Sequence, residues 1–167
     1  MTQDTINAAI AQFDTAIARA KTGEEAFTAL QALTQALVGA KLFTFMSVDM
    51  EAELARRAYT SDPASYPVSG TKPIRYDAWF DLVHKAREYF IANTLADIAK
   101  VFPDHELIGS LGCGSVVNMP VILGDELVGT LNMLHEEQYY TPERVELIRT
   151  YLSVPAKLAA LVALRQA

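Results

Sequence analysis

The sequence predicts an α+β domain, an antiparallel sheet with long helices at both chain ends and short helices and loops between. Three observations carry this expectation. Apolar residues recur at steps of three and four near both termini. Successive runs rich in Val, Ile, Leu, Phe and Met are joined by short connections, which favour antiparallel pairing. Third, GSVVNMPVILGDELVGTLNMLH (114–135) reads as a β-hairpin about the turn dipeptide Gly124-Asp125.

Each element follows from its residues. Ile6, Ile10, Phe13 and Ile17 fall on one face of a first helix. Thr22-Gly23-Glu24-Glu25 is a capping box, with Glu25 placed to bond back to the Thr22 amide. The second helix then turns Phe27, Leu30, Leu33 and Leu37 inward, and Gly39 ends it. Residues 42–48 form a strand, Met50-Glu51 turns the chain, and 52–60 form the next strand. Residues 61–75 hold three prolines and no period, so they are a long loop. Asp77 caps a short helix carrying Trp79, Phe80 and Val83, and 88–92 is strand-like. Thr94 starts another short helix that Pro103 stops, and 104–111 form one more, closed by Gly112. Strands at 115–123 and 127–135 make the hairpin. Thr141-Pro142 opens the last helix, and Pro155 should kink or divide it. The end helices would cover one sheet face and the middle segment the other. Residues 1–167 read as a single domain.

Composition narrows the function. The chain has 167 residues, 51% of them apolar, and a net charge of −6 with no basic cluster, which speaks against nucleic acid. No signal peptide and no apolar run of membrane-spanning length is expected, so the expected setting is the cytoplasm, with no membrane partner. One cysteine, Cys113, excludes an intrachain disulfide and fits a reducing compartment.

The hairpin also carries the strongest chemical signal. Asn118 and Asn132 sit where buried strands usually hold aliphatic residues, and a buried amide costs free energy unless it is satisfied. Alternation puts Val117, Met119, Val121, Leu131 and Met133 on a pure apolar face. Val116, Asn118, Pro120, Thr130, Asn132 and Leu134 make a mixed one. The two Asn either bond each other and nearby backbone, or line a ligand site. A two-residue hairpin loop would set them on opposite faces; a bulge or a three-residue loop restores a common face. Trp79 can lid the mixed face, with Tyr76 and Tyr59 near it in sequence. In the 66–73 loop, Tyr66, Ser69, Thr71 and Lys72 supply polar groups, and Lys72 with Arg75 can meet an anion. The His residues have no metal-ligand spacing, and no dinucleotide, phosphate-loop or nucleophile-elbow motif is present, so neither catalytic nor metal residues are assigned.

FIANTLAD (90–97), LGCGSVVNMPV (111–121) and ELVGTLNMLHEEQYYTPERVELI (126–148), in this order, resemble a GAF domain over nearly the whole chain. The resemblance implies a profilin-like three-layer arrangement with a pocket between the sheet and the short helices. The expected lining is Asn118, Thr130, Asn132, Trp79 and Phe90, with Asn93 at the rim. It implies a stand-alone, small-molecule-binding sensor with an unidentified ligand and no assignable cofactor, signalling through a partner or a homodimer of the terminal helices. Cys113 has no His beside it, unlike the bilin-attaching members. A lone cysteine cannot complete the disulfide cycle of the free methionine sulfoxide reductases, and the cyclic-nucleotide signature is missing. Two other readings stay open: a thiol-dependent redox enzyme or sensor centred on Cys113, and a ligandless interaction domain.

Overall fold

A computed structural model describes residues 1–68 and 70–166. Ser69, one of the loop hydroxyls singled out above, lies outside the described residues. Two compact units emerge, one of residues 1–39 with 146–167, the other of residues 40–145.

The first unit is helical. Helix α1 (Gln3–Arg19) starts where the Thr5 amide donates to Thr2 Oγ1 at 3.2 Å, and it buries Ile6, Ala9 and Phe13. Of the apolar face Ile10 is exposed, and the buried stripe runs through the small Ala9. Helix α2 (Gly23–Leu37) begins with the expected cap, the Glu25 amide donating to Thr22 Oγ1 at 3.1 Å. The return bond differs, since the Glu25 carboxylate accepts from the Lys21 amide at 3.2 Å. Helix α6 (Pro142–Tyr151) passes into this unit, and α7 (Ser153–Gln166) follows a break at Leu152. Pro155 thus lies in the first turn of α7, where its missing N–H costs nothing. Helix α2 packs on α1 and α7, and Gly23 allows the latter: a Cβ there would stand 3.0 Å from that of Ala163.

The second unit is built on a six-stranded antiparallel sheet of order β3-β2-β1-β6-β5-β4. Its strands are β1 (Leu42–Asp49), β2 (Leu54–Thr60), β3 (Thr71–Pro73), β4 (Phe90–Ala92), β5 (Ser115–Leu123) and β6 (Glu126–His135). The α+β class and the hairpin are as expected. Strand β2 starts two residues late, because Glu53 takes a positive φ of 54° to finish the turn. Strand β3 was not expected, the prolines having marked 61–75 as loop; an edge strand tolerates Pro73 since its outer side needs no donor.

Between the strands, α3 (Ala78–Phe80) runs into a π-helical turn (Asp81–Lys85). Helices α4 (Leu95–Ala99) and α5 (His105–Ser110) follow. The expected caps hold for α3 and α4, with the Phe80 amide on Asp77 Oδ1 at 3.0 Å and the Asp97 amide on Thr94 Oγ1 at 3.1 Å. Ile98 and Ile108 from α4 and α5 join Leu42, Val116 and Leu134 in one apolar cluster, which docks these short helices on the sheet.

Candidate functional site

The hairpin turn is the two-residue kind, with Gly124 and Asp125 both at positive φ (58° and 62°) and Leu123 paired with Glu126. By itself this would put the two Asn on opposite faces. A bulge at Val121/Ile122 shifts the register, so Val121 pairs with Gly129 and Asn118 pairs with Asn132. Both amides therefore share one face.

They also bond each other. Trp79 Nε1 donates to Asn118 Oδ1 at 3.0 Å, and Asn118 Nδ2 donates to Asn132 Oδ1 at 2.7 Å. Asn132 Nδ2 donates in turn to Thr44 Oγ1 at 3.2 Å. The chain of donors crosses β5, β6 and β1 and fixes the indole over the sheet. The protein thus meets much of the amides' demand by itself, as one of the two sequence readings held.

The same strip nevertheless forms the floor of a cavity of about 360 Å³. Leu42, Thr44, Met46 and Val48 of β1, with Val116, Asn118, Thr130, Asn132 and Leu134 of the hairpin, make the floor. Every one lies at an even-numbered position, the mixed face of the alternation. The apolar set Val117, Met119, Val121, Leu131 and Met133 is buried on the opposite face. Trp79, Phe80, His84 and Phe102 form the wall, and Lys72, Arg75, Asp77 and Asp104 add charge.

Two of the six expected site residues lie elsewhere. Phe90 pairs with Asn118 and shares its face, but its ring packs edge-on against Phe102 at 5.9 Å, and Phe102 lines the cavity in its place. Asn93 is not a rim residue. Its Oδ1 accepts from the Tyr140 amide and its Nδ2 donates to the Tyr140 carbonyl, both at 3.1 Å, which pins the segment after β6. The neighbouring tyrosines diverge too. Tyr59 packs on Phe43, while Tyr76 lies exposed against Phe80 with its hydroxyl on Glu53.

Arg57 escaped the sequence reading. Pairing of Phe45 with Tyr59 would bring Ala58 opposite Met46, but a bulge at Phe45/Met46 brings Arg57 there instead. Arg57 thereby joins Met46 on the cavity face. Its Nη1 donates to the Pro67 carbonyl at 3.2 Å, and its guanidinium stands 4.9 Å from the Tyr66 ring centre. Tyr66 O–H donates to Asp104 at 2.6 Å; burial first, then that bond, pushes its hydroxyl well above the usual range. His84 stands against Trp79 and Phe80, and burial holds its pKa below 6.5 against the opposing pull of Asp77. Thr44 carried a usable signal, a polar residue inside an otherwise apolar run. Arg57 carried none, because its face depends on the bulge.

Cys113 is buried, and burial raises its thiol pKa, with Lys41 opposing. His135 stacks on Tyr139 at 3.5 Å, away from the cavity. Among the described residues no group of three or more His, Cys, Asp and Glu side chains is arranged to hold a metal ion.

A family profile described as "GAF domain" matches residues 24–153, most of the chain and parts of both units. The chain belongs to the GAF domain family. GAF domains are in general sensory or regulatory ligand-binding modules. Solved structures share the fold at low identity. The GAF domain of a two-component sensor histidine kinase from Bacillus halodurans is 14% identical, with 89% of this chain and 100% of that one covered at a TM-score of 0.71. The GAF domain of a phosphoenolpyruvate-protein phosphotransferase from Coxiella burnetii is 18% identical, with 99% and 97% covered at 0.70. Free methionine-R-sulfoxide reductase from Neisseria meningitidis, solved with its substrate, is 14% identical, with 100% and 96% covered at 0.68. No curated protein matches the chain.

Proposed function

We propose that this GAF domain is a small-molecule sensor or regulatory module, that its ligand occupies the cavity over the Asn118–Asn132 strip, and that residues 1–167 act as one domain. The observation carrying the proposal is the cavity itself. It is about 360 Å³, mostly apolar, and crossed by a few oriented polar groups, the make-up of small-molecule sites. In this reading Asn118, Asn132 and Thr130 form the ligand's floor and Trp79 its lid. Native mass spectrometry of freshly purified protein tests it. The expected result is a population heavier than the 18.3 kDa chain by one small molecule, released on denaturation. The bare mass alone, with no compound raising the melting temperature in a thermal-shift screen, would favour a ligandless interaction domain.

Signalling is proposed to run through a homodimer of the terminal helices, supported by exposed Ile10, Val154, Leu158, Leu161 and Leu164 on α1 and α7. The proposed setting is the cytoplasm, which suits a chain with one unpaired, buried cysteine. No single helix among the described residues is long and apolar enough to cross a membrane; α6 and α7 reach that length and composition only together, across the break at Leu152. A redox reading centred on Cys113 gains no support, because a buried thiol with a raised pKa is a poor nucleophile near neutral pH.

A further inference from the structure

We propose that the cavity takes a small organic monocarboxylate with a flat apolar body, its carboxylate held by Arg57. The inference rests on reading the cavity as a ligand site and adds the chemical class of the ligand.

Arg57 is only 9% exposed, so its guanidinium has lost most of its water. Part of what it needs is present in the Pro67 carbonyl and the Tyr66 ring. The remaining need is specific: the Nε–H is buried and donates to no described group. Arg57 belongs to the cavity wall, and its enclosed Nε–H is a donor on a cation without an acceptor, a cost that a ligand oxygen reaching the Nε edge from the cavity would remove. The Nε edge of a guanidinium carries parallel N–H donors at the spacing of carboxylate oxygens, which makes a carboxylate the matching partner. Among the described residues no carboxylate of the protein reaches ion-pair contact with Arg57; Asp104 accepts the Tyr66 hydroxyl instead.

Charge sets the ligand's valence. Arg57, Lys72 and Arg75 line the cavity together with Asp77 and Asp104, and Arg75 lies 3.9 Å from Asp77. One positive charge is left over, which suits a monoanion, whereas a phosphate dianion would meet two carboxylates with too little compensation. Shape sets the body. A volume of about 360 Å³ is near the small end of ligand sites, and its lining includes the aromatic residues Trp79 and Phe102, packed edge-on at 6.4 Å.

Phenylacetate is the probe, with phenylacetamide as its neutral isostere and phenyl phosphate as the dianion. Trp79 is the single tryptophan, so intrinsic fluorescence reports on the cavity wall, with calorimetry alongside. Phenylacetate is expected to saturate the protein about tenfold or more tightly than the amide, the margin of a charge-assisted bidentate pair. Arg57→Gln should remove most of the acid's margin over the amide and weaken the acid far more than the amide, with Arg57→Lys between. Equal binding of acid and amide, or an acid affinity indifferent to Arg57→Gln, would overturn the carboxylate assignment while leaving a small-molecule site. Tighter binding of phenyl phosphate would overturn the monoanion class. Failure of all three probes to saturate would remove this inference, while the mass-spectrometric result decides the broader reading separately. If Arg57→Gln does not fold, the acid–amide comparison on the unaltered chain still decides.

Discussion

Asn118 stands at the junction of the polar strip, accepting from Trp79 and donating to Asn132. Asn118→Leu would fill its volume and orphan both neighbours, each buried or half-buried group costing about 1–3 kcal/mol. Urea denaturation should show that loss as a lower midpoint with an unchanged slope. Cys113 should alkylate slowly at neutral pH in the folded chain, and faster only as pH rises past its ordinary value of 9.0; rapid labelling near neutrality would contradict the buried thiol. His84 links stability to pH. Burial lowers its folded-state pKa below the unfolded value of 6.5, so its contribution is complete above 6.5. As pH falls below that value the unfolded chain takes up the proton first, and stability drops until the folded value is passed. The urea midpoint should therefore fall between about pH 7.5 and 5.5, and fall less in His84→Gln. His135, also lowered chiefly by burial, would keep part of the slope in that variant.

Strands β5, β6 and β1 act as one element for the cavity, and their register is what makes the floor. The glycine at 129 is part of it. A Cβ there would stand 2.5 Å from the Met46 carbonyl oxygen and 2.6 Å from the Phe45 ring. Backbone cannot yield as a flexible side chain does, so Gly129→Ala should cost about 1–3 kcal/mol or more. Thermal melts followed by circular dichroism would measure it, and an unchanged melting temperature would mean that Phe45 and β1 move freely. The two bulges decide which side chains face the cavity. One turns Asn118 toward the face of Asn132, and the other turns Arg57 into the cavity. Such features re-aim side chains without altering the run of residue types.

For the molecule as a whole, the open question is what the helical unit does with its exposed apolar side chains. Val154, Leu158 and Leu161 recur at steps of four and three on α7, and Ile10 is exposed on α1. In the proposed homodimer this stripe is the association surface, and a twofold pairing of identical stripes closes on itself. Light scattering at micromolar concentration should give about twice 18.3 kDa, and Ile10→Glu with Leu161→Glu should return it to the single-chain mass. A monomer at every concentration, unchanged by those substitutions, would remove the homodimer. The family match spans parts of both units.

What the sequence determined by itself is what local chemistry sets. Helix starts at Thr22, Asp77 and Thr94, the Gly124-Asp125 turn, the α+β class and the mixed face of the hairpin all follow from spacing and side-chain type. Thr130, Asn132, Asn118 and Trp79 could be named because a polar residue in an apolar strand, or a lone Trp on a capped helix, shows without coordinates. Tertiary structure decided the rest. Phe90 lost its place to Phe102, a residue distant in sequence whose approach no local pattern encodes. Asn93 spends its amide on a backbone that arrives from residue 140. Arg57 reaches the cavity through a bulge, a one-residue slip whose energy depends on both strands at once. A period of two along a strand says which residues share a face only while the register holds, and the register belongs to the pair of strands.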